Sequence, residues 1–396
     1  MNYKKWILVL ITNLLIVALL GFLMRYKIAF SFPYLEQKHL QHAHSHFAFA
    51  AWISQALYLM LIYFLDQHIQ LNWKKYNLIL IANTVFSIGM MISFILYGYH
   101  VSSNTFSFLI VLTAVLFSFF FIKDTLKFKE QAFVKHWFYA ALFFNFISNF
   151  GTFYIAYLMI SKSYQQDVHL ASVYFYLHFQ YNGWFIFSCF GLMCYQLLKN
   201  MQIKNSMTIF WVFFLSTFPS YFLSILWFKI PLSLYIIVVL SSLLQLLTWV
   251  YLLLQISTHK KKFVLSTDKY FSRIVWVILF SFTLKLILQL VSTVPFISHI
   301  AYSLRSIVIA YLHLVLLVII SMFILHYLFR YVLLKSISKY IYYFLIIIII
   351  NEILLGIQGF AGMFTISILN IQYYLFFISI FIVLSVISIF RHIQTL

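Results

Sequence analysis

The chain has 396 residues, of which 64% are hydrophobic, 21% aromatic and only 8% charged. That composition excludes a water-soluble domain, and no stretch between the apolar runs is long enough to bury a core of its own, so one polytopic membrane domain spanning 1–396, solvated by a lipid bilayer, is expected. A net charge of +19 does not point to nucleic acid, because the lysines stand in short clusters between apolar runs instead of along one face.

The first apolar run, 6–24, follows Lys4 and Lys5. It is too long for a signal-peptide core and no small-residue cleavage site follows it, so it reads as the first span. Further runs long enough to cross a bilayer lie near 44–65, 77–98, 104–122, 136–160, 170–198, 207–228, 232–256, 274–292, 304–329, 340–358 and 371–390. Alternate connections collect the basic residues, from Lys74 and Lys75 through the group Lys123, Lys127, Lys129 and Lys135 to Arg391, nineteen against five on the opposite side. By the positive-inside rule the richer side is cytoplasmic. The expectation is an all-α integral membrane protein of about twelve transmembrane helices with both termini cytoplasmic, in a bacterial cytoplasmic (inner) membrane. Cys189 and Cys194 share one apolar run at a spacing that matches no metal or redox motif, and read as small buried hydrophobes.

Histidine distribution is the unusual feature. His39, His42, His44, His46, His100, His169, His178, His299 and His313 fall on the outer side of this topology, whereas His68, His136, His259, His326 and His392 are scattered singly on the inner side. In HLQHAHSHFAFAAW a helix brings His39, His42 and His46 onto one face and turns His44 to the opposite one. Ala48, Ala50, Ala51 and Ser54 then keep the helix thin for close approach of another helix or a flat macrocycle. The alternative is a polar interfacial cap with small residues for packing.

His178 lies about two turns below the outer surface in the sixth run, with Tyr174 and Asn182 one turn either side, and His313 about two and a half turns down the tenth, with Arg305 above it. An intramembrane imidazole is either a hydrogen-bonded core residue or a ligand, and neutral imidazole suits iron, copper and zinc. Arg305 stands at the level where haem propionates would meet water. Lys285 and Glu352 are near mid-membrane, Glu352 being the one carboxylate in any run. They read as a cross-helix pair or as candidates for a proton path. No nucleotide motif argues for direct use of NAD or ATP.

This arrangement of spans and histidines resembles the catalytic subunit of haem–copper oxidases and nitric oxide reductases, and HAHSHFAFAAW and RSIVIAYLHLVLL are also similar to stretches of NnrS-type haem and copper membrane proteins. The resemblance implies haem, with copper or non-haem iron as a second metal. It makes His42, His44 or His46 the second-span haem ligand, His313 a tenth-span haem ligand and His178 the sixth-span metal histidine. The chain departs from the family where the seventh run lacks a His-His pair, where Asn182 replaces a tyrosine, and where the tenth run has one outer histidine instead of two. The implied function is a haem-binding oxidoreductase handling electrons or a diatomic gas, with respiratory subunits or an electron donor as partners. A membrane protein that binds or transports a metal ion through an outer cluster of His39, His42 and His46 is the alternative.

Overall fold

The computed structural model describes residues 2–127, 132–163, 165–199, 201–258, 268–334 and 337–395, without the side chains of 300–303. His259 and the cations Lys129, Lys260, Lys261, Lys262 and Lys335 of the sequence reading lie outside the described residues.

Among the described residues there is no β-strand, and twelve long helices follow one another: α1 Tyr3–Ala29, α2 Gln37–Asp66, α3 Trp73–Tyr97, α4 Val101–Thr125, α5 Ala132–Ile160, α6 over 166–198, α7 Ser206–Ile225, α8 Leu232–Thr258, α9 Lys269–Val291, α10 Arg305–Val332, α11 Ser338–Met363 and α12 Ile371–Thr395. A short helix, Pro295–Ser303, precedes α10. All of these except α6 and the short helix are long and apolar enough to cross a bilayer. Helix α6 is more polar, yet 178–192 is buried throughout.

Polar residues punctuate the apolar runs where helices must start. The side chains of Asn2 and Asn72 accept from the amides of Lys5 and Lys74 and so begin α1 and α3. His100 begins α4 in the same way, its Nδ1 accepting from the Ser102 amide at 3.3 Å while Ser103 Oγ accepts from the His100 amide at 2.9 Å. Its imidazole therefore serves as a helix cap.

The helices fall into two compact units, Met1–Phe128 with Asp268–Val275 and Ser321–Leu396, and Lys129–Thr267 with Trp276–Ile320. In the first unit α2 is the central element. Buried residues make up 83% of its apolar stretch, against 22% for α4. The outer faces of α3 and α4 expose Leu96, Val115, Leu116 and Phe119. Apolar surface of that extent is stable only against lipid.

Helix α1 lies along α12, with Phe22 5.5 Å from Phe376 and Phe30 5.7 Å from Tyr373, ring centre to ring centre. The end of one thus meets the beginning of the other, which puts both chain termini at the same end of this unit. At that end Tyr3 donates to Asp66 at 2.9 Å and Trp6 to Asn77 at 2.9 Å.

Asp124, 2% exposed, closes the α3–α4 pair, accepting from Lys75 at 2.5 Å, Tyr76 at 2.8 Å and Lys127 at 2.9 Å. Lys127 is largely solvated, so most of the energy resides in the two better-buried donors. Replacing Asp124 by Ala is expected to lower stability by about 1–3 kcal/mol, read as a lower thermal midpoint in detergent.

In the second unit α5 packs on α6 and α7 on α8. Gly151 and Gly183 allow the first contact, because a Cβ at Gly151 would meet the Ser172 carbonyl at 2.6 Å and one at Gly183 would run into Phe144. Both cysteines are buried and free.

Candidate functional site

In α2 the 3.6-residue period separates the histidines into two sets. His39, His42 and His46 face the end of α3. The His39 Nε2 is 3.4 Å from the Glu36 carboxylate, His42 is 4.6 Å from the Tyr99 ring centre, His46 is 4.7 Å from that of Phe94, and the two imidazoles are 6.3 Å apart. Gly98, at φ +61°, makes this approach possible, since a Cβ there would overlap the His39 ring. The Tyr99 hydroxyl stands 3.5 Å from His46 Nε2, and burial pushes its phenol pKa up, so it remains a proton donor at physiological pH.

His44 turns the other way, onto α1. Its Nδ1 is 3.0 Å from the Val17 carbonyl oxygen. A carbonyl only accepts, so Nδ1 carries the proton and Nε2 the lone pair, which is the tautomer of a metal-binding histidine oriented by its backbone partner. Gly21 is the cradle for the ring, as a Cβ there would lie 3.3 Å from His44 Cε1.

Immediately beyond the histidines α2 widens into a π-helical stretch, Ala48–Ser54. The Gln55 amide reaches back five residues to the Ala50 carbonyl. Neighbouring helices supply side chains for the carbonyls this register exposes. Asn83 donates to Ala50 O at 3.1 Å and to Gln55 Oε1 at 2.6 Å, Asn13 to Ala51 O at 2.7 Å, and Gln55 in turn to Leu80 O at 2.9 Å. Trp52 donates to Ser321 Oγ of α10 at 2.8 Å. Asn13, Gln55 and Asn83 are almost fully buried; sequence reasoning missed them, and an amide within an apolar run is the signal that could have found them.

In the second unit His178 ends the α-helical part of α6, and a π-helical stretch, Phe179–Phe185, begins at the next residue. His178 is 2% exposed. Its Nε2–H donates to the Thr217 carbonyl at 2.9 Å and its Nδ1 accepts from Asn182 Nδ2 at 3.1 Å. Thr217 O is available because α7 tightens into a 3₁₀ turn at Tyr221–Ile225, where the Tyr221 amide turns to the Phe218 and Pro219 carbonyls. Both nitrogens of His178 thus serve the protein. In this arrangement it is a hydrogen-bonded core residue, and a metal there would have to displace Thr217 or Asn182.

Helix α10 repeats the pattern, with His313 at the end of its α-helical start and a π-helical stretch, Leu314–Ser321, directly after it. His313 is half-buried, and Arg305 is exposed at the first residue of the helix. Two tyrosines join α6 to α10 beside the histidines. Tyr181 is 6.3 Å from the His178 ring, and Tyr311 is 6.4 Å from Tyr181.

The two mid-membrane ionisable groups belong to different units. Lys285, 3% exposed, donates to Gln289 Oε1 at 2.8 Å on its own helix, Gln289 donates to Gln245 at 3.0 Å, and the ammonium is within electrostatic reach of His178. Glu352 accepts from Asn351 at 3.0 Å and lies within electrostatic reach of Arg25.

Among the described residues no three His, Cys, Asp or Glu side chains converge as a metal-ligand set. His39, His42 and His46 share a face but do not close such a site. Neither protein-family models nor curated proteins give a match to this chain.

Proposed function

We propose that the chain is a haem-binding membrane protein of the oxidase and nitric oxide reductase type, working in electron transfer or diatomic-gas chemistry. The observation that carries this reading is local. In each of α2, α6 and α10 a π-helical stretch starts within two residues of a candidate histidine, at Ala48 after His46, at Phe179 after His178 and at Leu314 after His313. π-Turns are rare, and they are retained mostly where function needs a side chain re-aimed.

His44 has the donor chemistry a haem requires, with Nδ1–H fixed on Val17 and the lone pair on Nε2. Bound haem would supply a redox-active iron able to take electrons or a diatomic ligand. The protein's part in the first unit is to hold and orient such a group with His44 and to keep water away with the buried wall of α2; in the second unit His313 is the candidate ligand and Arg305 the candidate partner of propionates. Copper or non-haem iron is the second metal of this reading, and a respiratory subunit or soluble donor its electron source. His178 and Asn182 then act as a positioning pair that fixes the start of the π-stretch in α6.

The test is the absorption spectrum of purified protein from cells grown with haem. A Soret band with stoichiometric iron is expected, and a well-folded but colourless, iron-free preparation ends the haem reading. The i, i+4 pair His42 and His46 beside Tyr99 favours a second reading, divalent-metal binding or transport. A colourless protein that binds zinc in proportion, and loses it in His42→Ala, would establish that one instead.

A further inference from the structure

Where α1 gives way to α2 the chain forms a cavity of about 310 Å³ lined by Lys27, Ile28, Ser31, Phe32, Pro33 and Gln37. Both helices run from here into the apolar layer, so the cavity sits at the boundary between water and lipid whichever side of the membrane it faces. Lys27 donates to the Phe32 carbonyl at 2.5 Å, which bends the connection back over the end of α1 and leaves two ammonium protons. Gln37 Oε1 is buried and has no hydrogen-bond partner. A buried acceptor without a donor is costly, whereas a cation beside it attracts an anion. The ligand that satisfies both carries an anionic oxygen and, a few ångströms away, an N–H or O–H donor.

We propose that this cavity binds the phosphoethanolamine headgroup of a membrane lipid. The phosphate lies against the Lys27 ammonium and Ser31 hydroxyl, the lipid's own ammonium donates to Gln37 Oε1, and Ile28, Phe32 and Pro33 receive the apolar beginning of the lipid. A phosphocholine headgroup has the phosphate but no N–H, so it satisfies Lys27 and leaves Gln37 as it was. The site thereby distinguishes two zwitterionic lipids of equal net charge.

The experiment is native mass spectrometry of the purified full-length protein in detergent with equimolar phosphatidylethanolamine, phosphatidylcholine and phosphatidylglycerol. Retention of phosphatidylethanolamine about tenfold above phosphatidylcholine is expected, the size of one hydrogen bond from a charged donor. In Gln37→Leu the two are expected to approach parity, and in Lys27→Met retention of both is expected to fall. Equal retention of the two by the unaltered protein overturns the proposal, and that comparison needs no variant to fold. So does an undiminished preference in Gln37→Leu. Phosphatidylglycerol bound as tightly as phosphatidylethanolamine would mean that only the anion is read. Soluble phosphoethanolamine raising the thermal midpoint as much as the lipid would mean that the site takes a free metabolite. Each of these results also overturns it. None depends on whether the protein contains haem.

Discussion

Replacing His44 by Ala is expected to abolish the Soret band, while His178→Leu keeps it. By sequence His44 was one of three alternatives for the second-span haem ligand and His178 the sixth-span metal histidine, and their hydrogen bonds separate them further. His44 donates from Nδ1 to the Val17 carbonyl, which is the tautomer of a metal-binding histidine. His178 uses both ring nitrogens, on Thr217 and Asn182. On the haem reading, losing a ligand histidine would remove a bond to iron, whereas losing a residue that only orients a metal site weakens binding about 10–100-fold. His178→Leu is therefore expected to change stability, by about 1–3 kcal/mol for the donor and acceptor left unsatisfied, and leave the spectrum in place. The measurement is haem per protein and midpoint of thermal unfolding for each variant. A His44→Ala protein with full haem occupancy would remove α2 from the haem reading.

The second large effect is expected at a residue that touches neither histidine set. Asn83→Leu removes the donor to both Ala50 O and Gln55 Oε1, deep between α2 and α3. Two buried acceptors then lose their partner, for a loss of about 2–4 kcal/mol. Two outcomes can follow in the helix itself. The π-stretch Ala48–Ser54 either persists at reduced stability or relaxes to an α-register, which rotates the histidines relative to Trp52 and everything after it. Asn83→Ser restores a small donor and is expected to recover part of the loss. An unchanged thermal midpoint in Asn83→Leu would mean that the π-register does not depend on this amide.

The helices were legible because lipid solvation imposes one rule on all of them, and each apolar run of the sequence lies on a helix, although α2 begins at Gln37, ahead of the run expected from 44. The division of the α2 histidines into two faces was legible for the same kind of reason, since it follows from 3.6-residue geometry and needs no knowledge of neighbours. What the sequence concealed depends on residues far away along the chain. The π-stretch of α2 is held by Asn13 and Asn83 from two other helices, and no local pattern in AFAAWIS announces it. The bond that occupies His178 exists because α7 tightens at Tyr221 and leaves the Thr217 carbonyl to other donors. Lys285 and Glu352 fall in different units, and each has a hydrogen-bond partner on its own helix that depth alone does not predict.

The first unit is assembled from the beginning and the end of the chain, with α1 resting on α12. A ribosome delivers α1 to α4 before the residues of the second unit and α11 and α12 after most of them, so α1 stands without α12 while the second unit is made. Whatever shields the unclaimed side of α1 during that interval, lipid or an insertion factor, is released only when α12 arrives. Maturation of this unit thus waits on translation of the second.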